Sequence, residues 1–270
     1  IVMNGYSNFS EMSAIRYLKK KNIPYVLYIN GGIIKQKETA LKRKLKTYFI
    51  KGAKAYFSPD EESNKYLVYY GANPKLIYNY PYSTIYKSEI ATKPTKKDSK
   101  NKIFVSSGQL IKRKNYFELI KKWKGLPANY YLYIFGDGPL RARLNKYIDK
   151  NKLQNVCLKG YVERDKMLFF FKTANAFIFP SNEDIYGHVI NEALSQGLPV
   201  ISTKNVNSAK KLIKNKVNGI LIDSLEELGS AIDVVLSNDL FNASIETASK
   251  NTLELMISNH IKIFNEVIGK

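Results

Sequence analysis

Two carboxylates, Asp184 and Glu192, stand in the string Phe179-Pro180-Ser181-Asn182-Glu183-Asp184-Ile185-Tyr186-Gly187-His188-Val189-Ile190-Asn191-Glu192-Ala193. An apolar strand ends at Pro180, an acidic turn passes through Gly187, and a short helix follows. Glu192 lies one helical turn beyond His188 on the same face. Helical side chains lean toward the N-terminus, so its carboxylate reaches back to whatever docks at the helix start. An anion there, such as a diphosphate, would meet the N–H groups of Gly187, His188 and Val189. A carboxylate so close to a diphosphate makes sense only if it accepts hydroxyl hydrogens, as a sugar recogniser does. Helix-end electrostatics accounts for either acid taken alone, but not for the whole string.

Two further turns follow apolar strands. Ser106-Ser107-Gly108-Gln109-Leu110-Ile111-Lys112-Arg113-Lys114-Asn115 carries a glycine and three consecutive cations just before a helical pattern. Such a turn offers backbone N–H and ammonium groups to a phosphate, although a lysine cluster is more often a solvated face. Phe135-Gly136-Asp137-Gly138-Pro139-Leu140-Arg141 has the outline of a dinucleotide fingerprint. Leu140-Arg141 stands where a third glycine should follow, so the segment reads as a structural strand-to-helix turn.

These turns need a scaffold that presents strand ends side by side. In the second part of the chain, strands are expected at 103–106, 130–135, 156–158, 176–179, 199–202 and 219–222, and helices at 116–122, 139–150, 164–173, 189–196 and 225–236. Repeated strand–helix units imply an α/β fold with a parallel, doubly wound sheet, whose ligand sits at the carboxyl ends of the strands. Upstream, strands are expected at 1–4, 25–29, 53–57 and 75–78. One helix is capped by Ser10 and runs to about Lys20; another is opened by Ser58-Pro59-Asp60-Glu61. Residues 88–101 lack apolar periodicity and read as a linker. The domains expected are therefore 1–87, the linker 88–101, 102–250, and a last helix over 251–270. That helix carries Leu253, Met256, Ile257, Ile261, Phe264 and Ile268 as an apolar stripe in need of a partner surface.

The chain has 270 residues, 44% of them hydrophobic, which suits one large domain or two ordinary ones and excludes a disordered tail. A single cysteine, Cys157, excludes a disulfide framework and a cysteine-based zinc site and fits a reducing cytoplasm. No apolar run approaches the roughly 18 residues of a membrane span. Lys and Arg number 43 against 23 Asp and Glu, a net charge of +20. That balance raises nucleic acid, an anionic membrane surface or anionic small substrates as partners, beside a simply solvated lysine-rich surface. Charge concentrates over residues 35–54, in Lys35, Lys37, Lys42, Arg43, Lys44, Lys46, Lys51 and Lys54, with Leu41, Leu45, Tyr48 and Phe49 at helical spacing. Such a basic amphipathic helix suits acidic lipid head groups, or a core contact beneath a charged outer face.

The Asp184–Glu192 string, with Gly197-Leu198-Pro199-Val200 after it, resembles the retaining glycosyltransferases of the large group 1 family, which have the GT-B fold of two Rossmann-like domains facing a cleft. That family carries two Glu residues with seven residues between them. Asp184 at the first position resembles a subgroup of bacterial polysaccharide-assembly transferases. The turn at 108–114 is similar to the family's Gly-Arg-Leu-x-x-x-Lys turn: Lys114 matches, and Gln109 stands where the Arg usually is, leaving Lys112 or Arg113 to compensate. Gly136-Asp137-Gly138-Pro139, Gly160-Tyr161-Val162 and Asn218-Gly219 fall in the family's order. The resemblance spans roughly residues 50–268 and is specific in the second part.

The resemblance implies transfer of a sugar from a UDP- or GDP-sugar to a glycan or lipid-linked acceptor, with retention of anomeric configuration, in the assembly of capsule, lipopolysaccharide or a similar polysaccharide. Glu192 would bind the ribose, and Asp184 the donor sugar near the reacting carbon. Lys114 would stabilise the charge on the departing diphosphate, among Gly108, Gln109, Arg113 and the N–H groups of Gly187, His188 and Val189. Tyr161 and Val162 would line the base. No cofactor and no metal are expected, because the cations and the helix end do that work. Nor is an enzyme nucleophile, since the leaving phosphate would take the acceptor's proton. The expected location is cytoplasmic, with peripheral contact on the inner membrane face through residues 35–54.

Upstream the match is weaker. Family members bring a Gly-rich loop and a His from the acceptor-side domain, whereas the two histidines here are His188 and His260. Asn30-Gly31-Gly32 stands at the strand end where that His often lies. Ile1-Val2-Met3 reads like the middle of a strand, and the strands before the linker are about half the number the family would bring. The expectation is a truncated N-terminal domain and a chain that binds the nucleotide sugar but transfers it poorly or not at all. Two alternatives stand beside this reading: a GT-B sugar-nucleotide epimerase, which needs no acceptor and relies on carboxylates and His, and a basic nucleic-acid-binding module. For the latter there is no helix-turn-helix, zinc-finger or RNA-binding signature, and aromatics do not interleave with the lysine clusters.

Overall fold

The computed structural model describes residues 1–35, 37–95 and 100–269. The chain divides into two compact units: Ile1–Tyr82 together with the chain from Leu253 onward, and Ser83–Thr252.

In the first unit β1 (Val2–Asn4), α1 (Phe9–Lys20), β2 (Val26–Tyr28), α2 (Ala40–Ile50), β3 (Ala55–Ser58), α3 (Glu61–Tyr69) and β4 (Ile77–Asn79) alternate. The four strands pair in parallel in that order. Strand side chains point alternately to the two faces. Leu27 and Tyr56 therefore pack against Ile15 and Leu18 of α1, Phe49 and Ile50 of α2, and Leu67 of α3. Val26, Ala55 and Phe57 face the other way, toward Ile263 and Val267 of the last helix, Leu253–Ile268.

The buried face of that last helix differs from the expected stripe. Ile257, Ile261 and Ile268 are 55%, 57% and 77% exposed, while Met256, Ile263, Phe264 and Val267 face the sheet. His260 explains the shift. Its ring packs between Tyr28, Phe57 and Tyr80, with centroids 5.6, 5.3 and 4.5 Å away, so a residue read as polar sits on the packed face.

Three local readings also change. Asn8, not Ser10, caps α1, and it forms a capping box with Glu11. Asp60 caps α3 by accepting from the Ser63 N–H at 2.7 Å, so Ser58 and Pro59 precede the helix. Within the basic segment 35–54 the helix covers only Ala40–Ile50, with Thr39 as its cap; Gln36 lies outside the described residues. Phe49 and Ile50 are buried, whereas Leu41, Leu45 and Tyr48 are exposed. The end of the helix thus packs in the core, and the rest of its apolar residues face outward.

The second unit holds β5 (Lys102–Ser107), α4 (Tyr116–Trp123), β6 (Tyr130–Phe135), α5 (Arg141–Lys150), β7 (Val156–Gly160), α6 (Arg164–Thr173), β8 (Ala176–Phe179), α7 (Val189–Ser195), β9 (Val200–Thr203), α8 (Asn207–Leu212), β10 (Gly219–Ile222), α9 (Leu228–Leu236) and α10 (Phe241–Ser249). All six strands are parallel, in the order β10-β9-β8-β5-β6-β7. The chain starts at the centre, moves outward to β7, and returns to the other side of β5 at β8. The strand order therefore reverses between β5 and β8, and the loops leaving those two strands part there. Such a switch point is where open α/β sheets bind ligands.

Helices cover both faces of this sheet. Phe104, Leu132, Ile134, Ile178 and Ile201 pack against α4, α5 and α9. Val105, Phe135, Phe177, Phe179 and Val200 pack against α6, α7 and α8. Each such fully buried side chain contributes about 1.5–3 kcal/mol of transfer free energy. Helices α8 and α10 were not expected. The helix expected at 225–236 starts as a 3-10 turn, Leu225–Glu227, capped by Ser224.

The segment expected as a linker, 88–101, is partly anchored within this unit. A 3-10 turn spans Lys87–Glu89, the Ala91 N–H donates to the Ser195 carbonyl at 2.8 Å, and Gln196 Nε2 donates to the Glu89 carbonyl at 2.9 Å. These anchors are polar and leave no apolar period in the sequence. Residues 96–99 lie outside the described residues. Among the described residues, no helix is long and apolar enough to cross a membrane.

Candidate functional site

The loop after β5 makes a tight turn at Gly108 and a 3-10 turn at Lys112–Lys114 before α4 begins. Its path depends on the turn after β6. Gly136 has φ +118°, and a Cβ built there would lie 2.1 Å from the Gly108 carbonyl oxygen, so only glycine lets the two turns touch. The Gly108 N–H donates to the Phe135 carbonyl at 3.0 Å, and the Leu110 N–H to the Asp137 carbonyl at 2.9 Å. The glycine-rich segment 136–138 thus supports the phosphate-type turn, in keeping with its structural reading.

The loop after β8 is tied to the same turn. The Asn182 N–H donates to the Arg113 carbonyl at 2.8 Å, and Ser181 Oγ to the same carbonyl at 3.1 Å. This staple brings Asp184 against the cations. Its Oδ2 lies 2.5 Å from Lys114 Nζ and 2.9 Å from Arg113 Nη1. Lys114 is buried, and its ammonium also sits 4.3 Å from the centroid of the Phe179 ring. Burial holds the Lys114 ammonium below the usual lysine range; Asp184 opposes that shift and Arg113 adds to it. Lys112 and Gln109 are exposed. Arg113 is exposed as well, but it reaches Asp184 and so is the second cation at the switch point.

Beyond Asp184 the loop turns at Gly187, with φ +84°, where a Cβ would press to 3.0 Å on the Phe179 ring. His188 and Val189 then start α7. His188 is held below the usual imidazole range by burial, opposed by Asp184, so the ring is neutral at pH 7. Glu192 is buried, 8% exposed. Its Oε1 accepts from Thr84 Oγ1 at 3.1 Å and lies 3.4 Å from Arg164 Nε.

Tyr161 and Val162 follow β7, an edge strand two places from β5. Tyr161 is 81% exposed, and Val162 packs against the core. The structure thus joins Lys114, Arg113 and Asp184 directly. It places Glu192 on the helix that follows Asp184, and Tyr161 and Val162 on a separate loop. Sequence reasoning missed Arg164, the first residue of α6, together with Thr84 and Glu89. Among the described residues, no group of three or more His, Cys, Asp or Glu could hold a metal ion.

Fold and site together define a doubly wound α/β protein with two cations and a carboxylate at its switch point. The chain belongs to the family of glycosyl transferases group 1, whose model matches residues 87–252. A curated relative, the lipopolysaccharide core biosynthesis glycosyltransferase LpsE of Rhizobium meliloti, is 27% identical over 154 residues, 56% of this chain and 44% of that protein. The chain spans less than half the length of the first curated relatives it matches. The fold is of the GT-B type found in solved glycosyltransferase structures. The outer core galactosyltransferase WaaB superposes with a TM-score of 0.75 at 18% identity, covering 98% of this chain and 75% of WaaB. Anabaena HepE in complex with UDP and glucose superposes with a TM-score of 0.79 at 15% identity, covering 100% of this chain and 78% of HepE.

Proposed function

We propose that the second unit binds a nucleotide-diphosphate sugar, UDP- or GDP-linked, and that the protein transfers the sugar to a glycan or lipid-linked acceptor in polysaccharide biosynthesis. The observation that carries this reading is the meeting of Lys114 and Arg113 on Asp184 at the switch point, each with a nitrogen within 2.9 Å of Asp184 Oδ2. A buried ammonium beside a guanidinium is suited to a diphosphate, with which Asp184 competes as counter-ion. The complex of HepE with UDP and glucose supports the same ligand class.

In this reading Glu192 accepts the ribose hydroxyls, and Asp184, released from part of its ion pairing, accepts a hydroxyl of the donor sugar. Tyr161 and Val162 flank the base. The acceptor oxygen attacks the anomeric carbon from the face the diphosphate leaves. The new C–O bond forms as the bond to the β-phosphate oxygen breaks, and the acceptor's proton passes to that departing oxygen. The anomeric configuration is retained. Lys114 and Arg113 stabilise the charge that grows on the diphosphate, and the burial of Lys114 strengthens its share of the effect. With these cations in place, the reading requires no metal and no cofactor. An epimerase would need acid–base carboxylates, whereas Asp184 is paired with two cations.

The proposed partners include an anionic membrane surface. In the first unit a groove of about 550 Å³ is lined by Lys19, Arg43, Lys44 and Lys51 with Ala40, Thr47 and Tyr48. Lys19 is held below the usual lysine range by burial and by the charge of Lys51. Such crowded cations beside exposed Leu41 and Leu45 suit acidic head groups.

Calorimetric titration with UDP- and GDP-sugars tests the donor reading. Saturable binding of at least one is expected. No binding to any nucleotide, with tight salt-sensitive binding to DNA, would overturn it in favour of a nucleic-acid module.

A further inference from the structure

Arg164 opens α6, where the helix dipole favours an acid and disfavours a cation. Its guanidinium is nonetheless fixed on three sides. It makes a two-point ion pair with Glu89, through Nη1 to Oε1 and through Nη2 to Oε2 at 3.1 Å. Nη2 also donates to the Thr84 carbonyl at 3.0 Å. The remaining donor, Nε, lies 3.4 Å from Glu192 Oε1, the same oxygen that accepts from Thr84 Oγ1 at 3.1 Å. Glu89 is itself held by the Tyr86 N–H at 2.7 Å.

We infer that Arg164 is a positioning residue for the ribose-binding carboxylate, an inference that rests on the donor reading above. Among the described residues, the two donors to Glu192, Thr84 Oγ1 and Arg164 Nε, both fall on Oε1, which leaves Oε2 to take the hydroxyl hydrogens of a ribose. The planar guanidinium has donors in fixed directions, so Glu89 and Thr84 set the angle at which Nε meets Glu192. Arg164 also lies three residues beyond Tyr161. The loop assigned to the base and the carboxylate assigned to the ribose are therefore held to one another through a single side chain. Without it, Glu192 would keep Thr84 but lose the guanidinium that fixes the direction of its carboxylate.

The test compares UDP and GDP with their 2′,3′-dideoxy analogues by calorimetry, on the parent chain and on Arg164→Ala, Arg164→Lys, Glu192→Gln and Arg164→Ala/Glu192→Gln, each checked for folding by circular dichroism. Charged hydrogen bonds to the ribose should make the parent prefer the natural nucleotide by about tenfold or more. Arg164→Ala should lower that preference toward unity while affinity for the dideoxy analogue stays within about twofold. Arg164→Lys should restore part of the preference, and the double variant should lose no more than Glu192→Gln alone. Undiminished preference in Arg164→Ala overturns the inference, and so does equal weakening of both ligands, which is what a merely structural role would give. A parent chain that binds neither UDP nor GDP overturns the donor reading itself, and the inference with it.

Discussion

Lys114 Nζ lies 2.5 Å from Asp184 Oδ2, although the two residues are 70 positions apart in the chain. Both side chains are close to nine-tenths buried, at 11% and 10% exposure. The parallel sheet makes this meeting possible, because β5 and β8 are neighbours and their loops leave from the same edge. Removing Asp184 leaves the buried Lys114 ammonium beside a second cation, whereas removing Lys114 leaves Asp184 with Arg113 as its remaining counter-ion.

Lys114→Ala is therefore expected to lower turnover of the nucleotide sugar by about 10²–10³, the usual effect of deleting one preorganised donor to a developing anion. The check is the steady-state rate against the parent protein. A loss below about threefold would remove Lys114 from the assigned role.

Nucleotide affinity should decline on the alkaline side, at a pH below that at which an ordinary lysine loses its proton. Burial lowers the Lys114 ammonium from the usual 10.5, and binding needs the charged form. Asp184 opposes that lowering, so Asp184→Asn should move the decline to lower pH still. For stability the sign is opposite: a folded-state value below the unfolded one makes stability rise with pH between the two. Titrations of UDP across pH 7 to 10 read the first effect. A flat profile over that range would contradict it.

Gly136→Ala is expected to destabilise the second unit by about 1–3 kcal/mol and to weaken nucleotide binding as well. A Cβ there would lie 2.1 Å from the Gly108 carbonyl oxygen, so the loop bearing Lys114 must move. Denaturant unfolding and calorimetry measure the two effects. A variant of parental stability and affinity would show that the turn does not position the cations.

The sequence displayed the parts of this site that are local. The six strands of the second unit, the Lys114 turn and the Asp184 loop are short-range patterns, and their pairing follows from parallel α/β topology. The Arg164–Glu89–Glu192 contacts were not legible, because they join residues 75 and 28 positions apart on two helices and a 3-10 turn. One signal was present: a cation as the first residue of a helix, where the dipole favours an acid. The last helix was placed one face off because His260, counted as polar, packs in an aromatic cluster. Helix caps were misplaced by two residues, at Ser10 for Asn8 and at Ser58 for Asp60, since both neighbourhoods are rich in capping side chains.

The corrected face of the last helix is testable by stability alone. Ile263 is 6% exposed and Ile261 is 57% exposed. Ile263→Ala should cost about 2–5 kcal/mol and Ile261→Ala no more than about 0.5 kcal/mol. Equal effects in denaturant unfolding would restore the original stripe.

The basic groove makes a quantitative prediction about lipid. Each cation near an anionic surface contributes about 1 kcal/mol, so replacing Arg43, Lys44 and Lys51 by Ala should weaken binding to phosphatidylserine vesicles about 100-fold. Co-sedimentation reads this. Unchanged binding, or equal binding to neutral vesicles, would remove the membrane from the proposed partners.

The most direct measurement is a crystal structure of the protein with UDP. Diphosphate oxygens are expected within about 3 Å of Lys114 Nζ and Arg113, and the ribose hydroxyls on Glu192. UDP bound elsewhere, for example in the basic groove of Lys19, Arg43 and Lys51, with the Lys114–Asp184 pair unaltered, would contradict this.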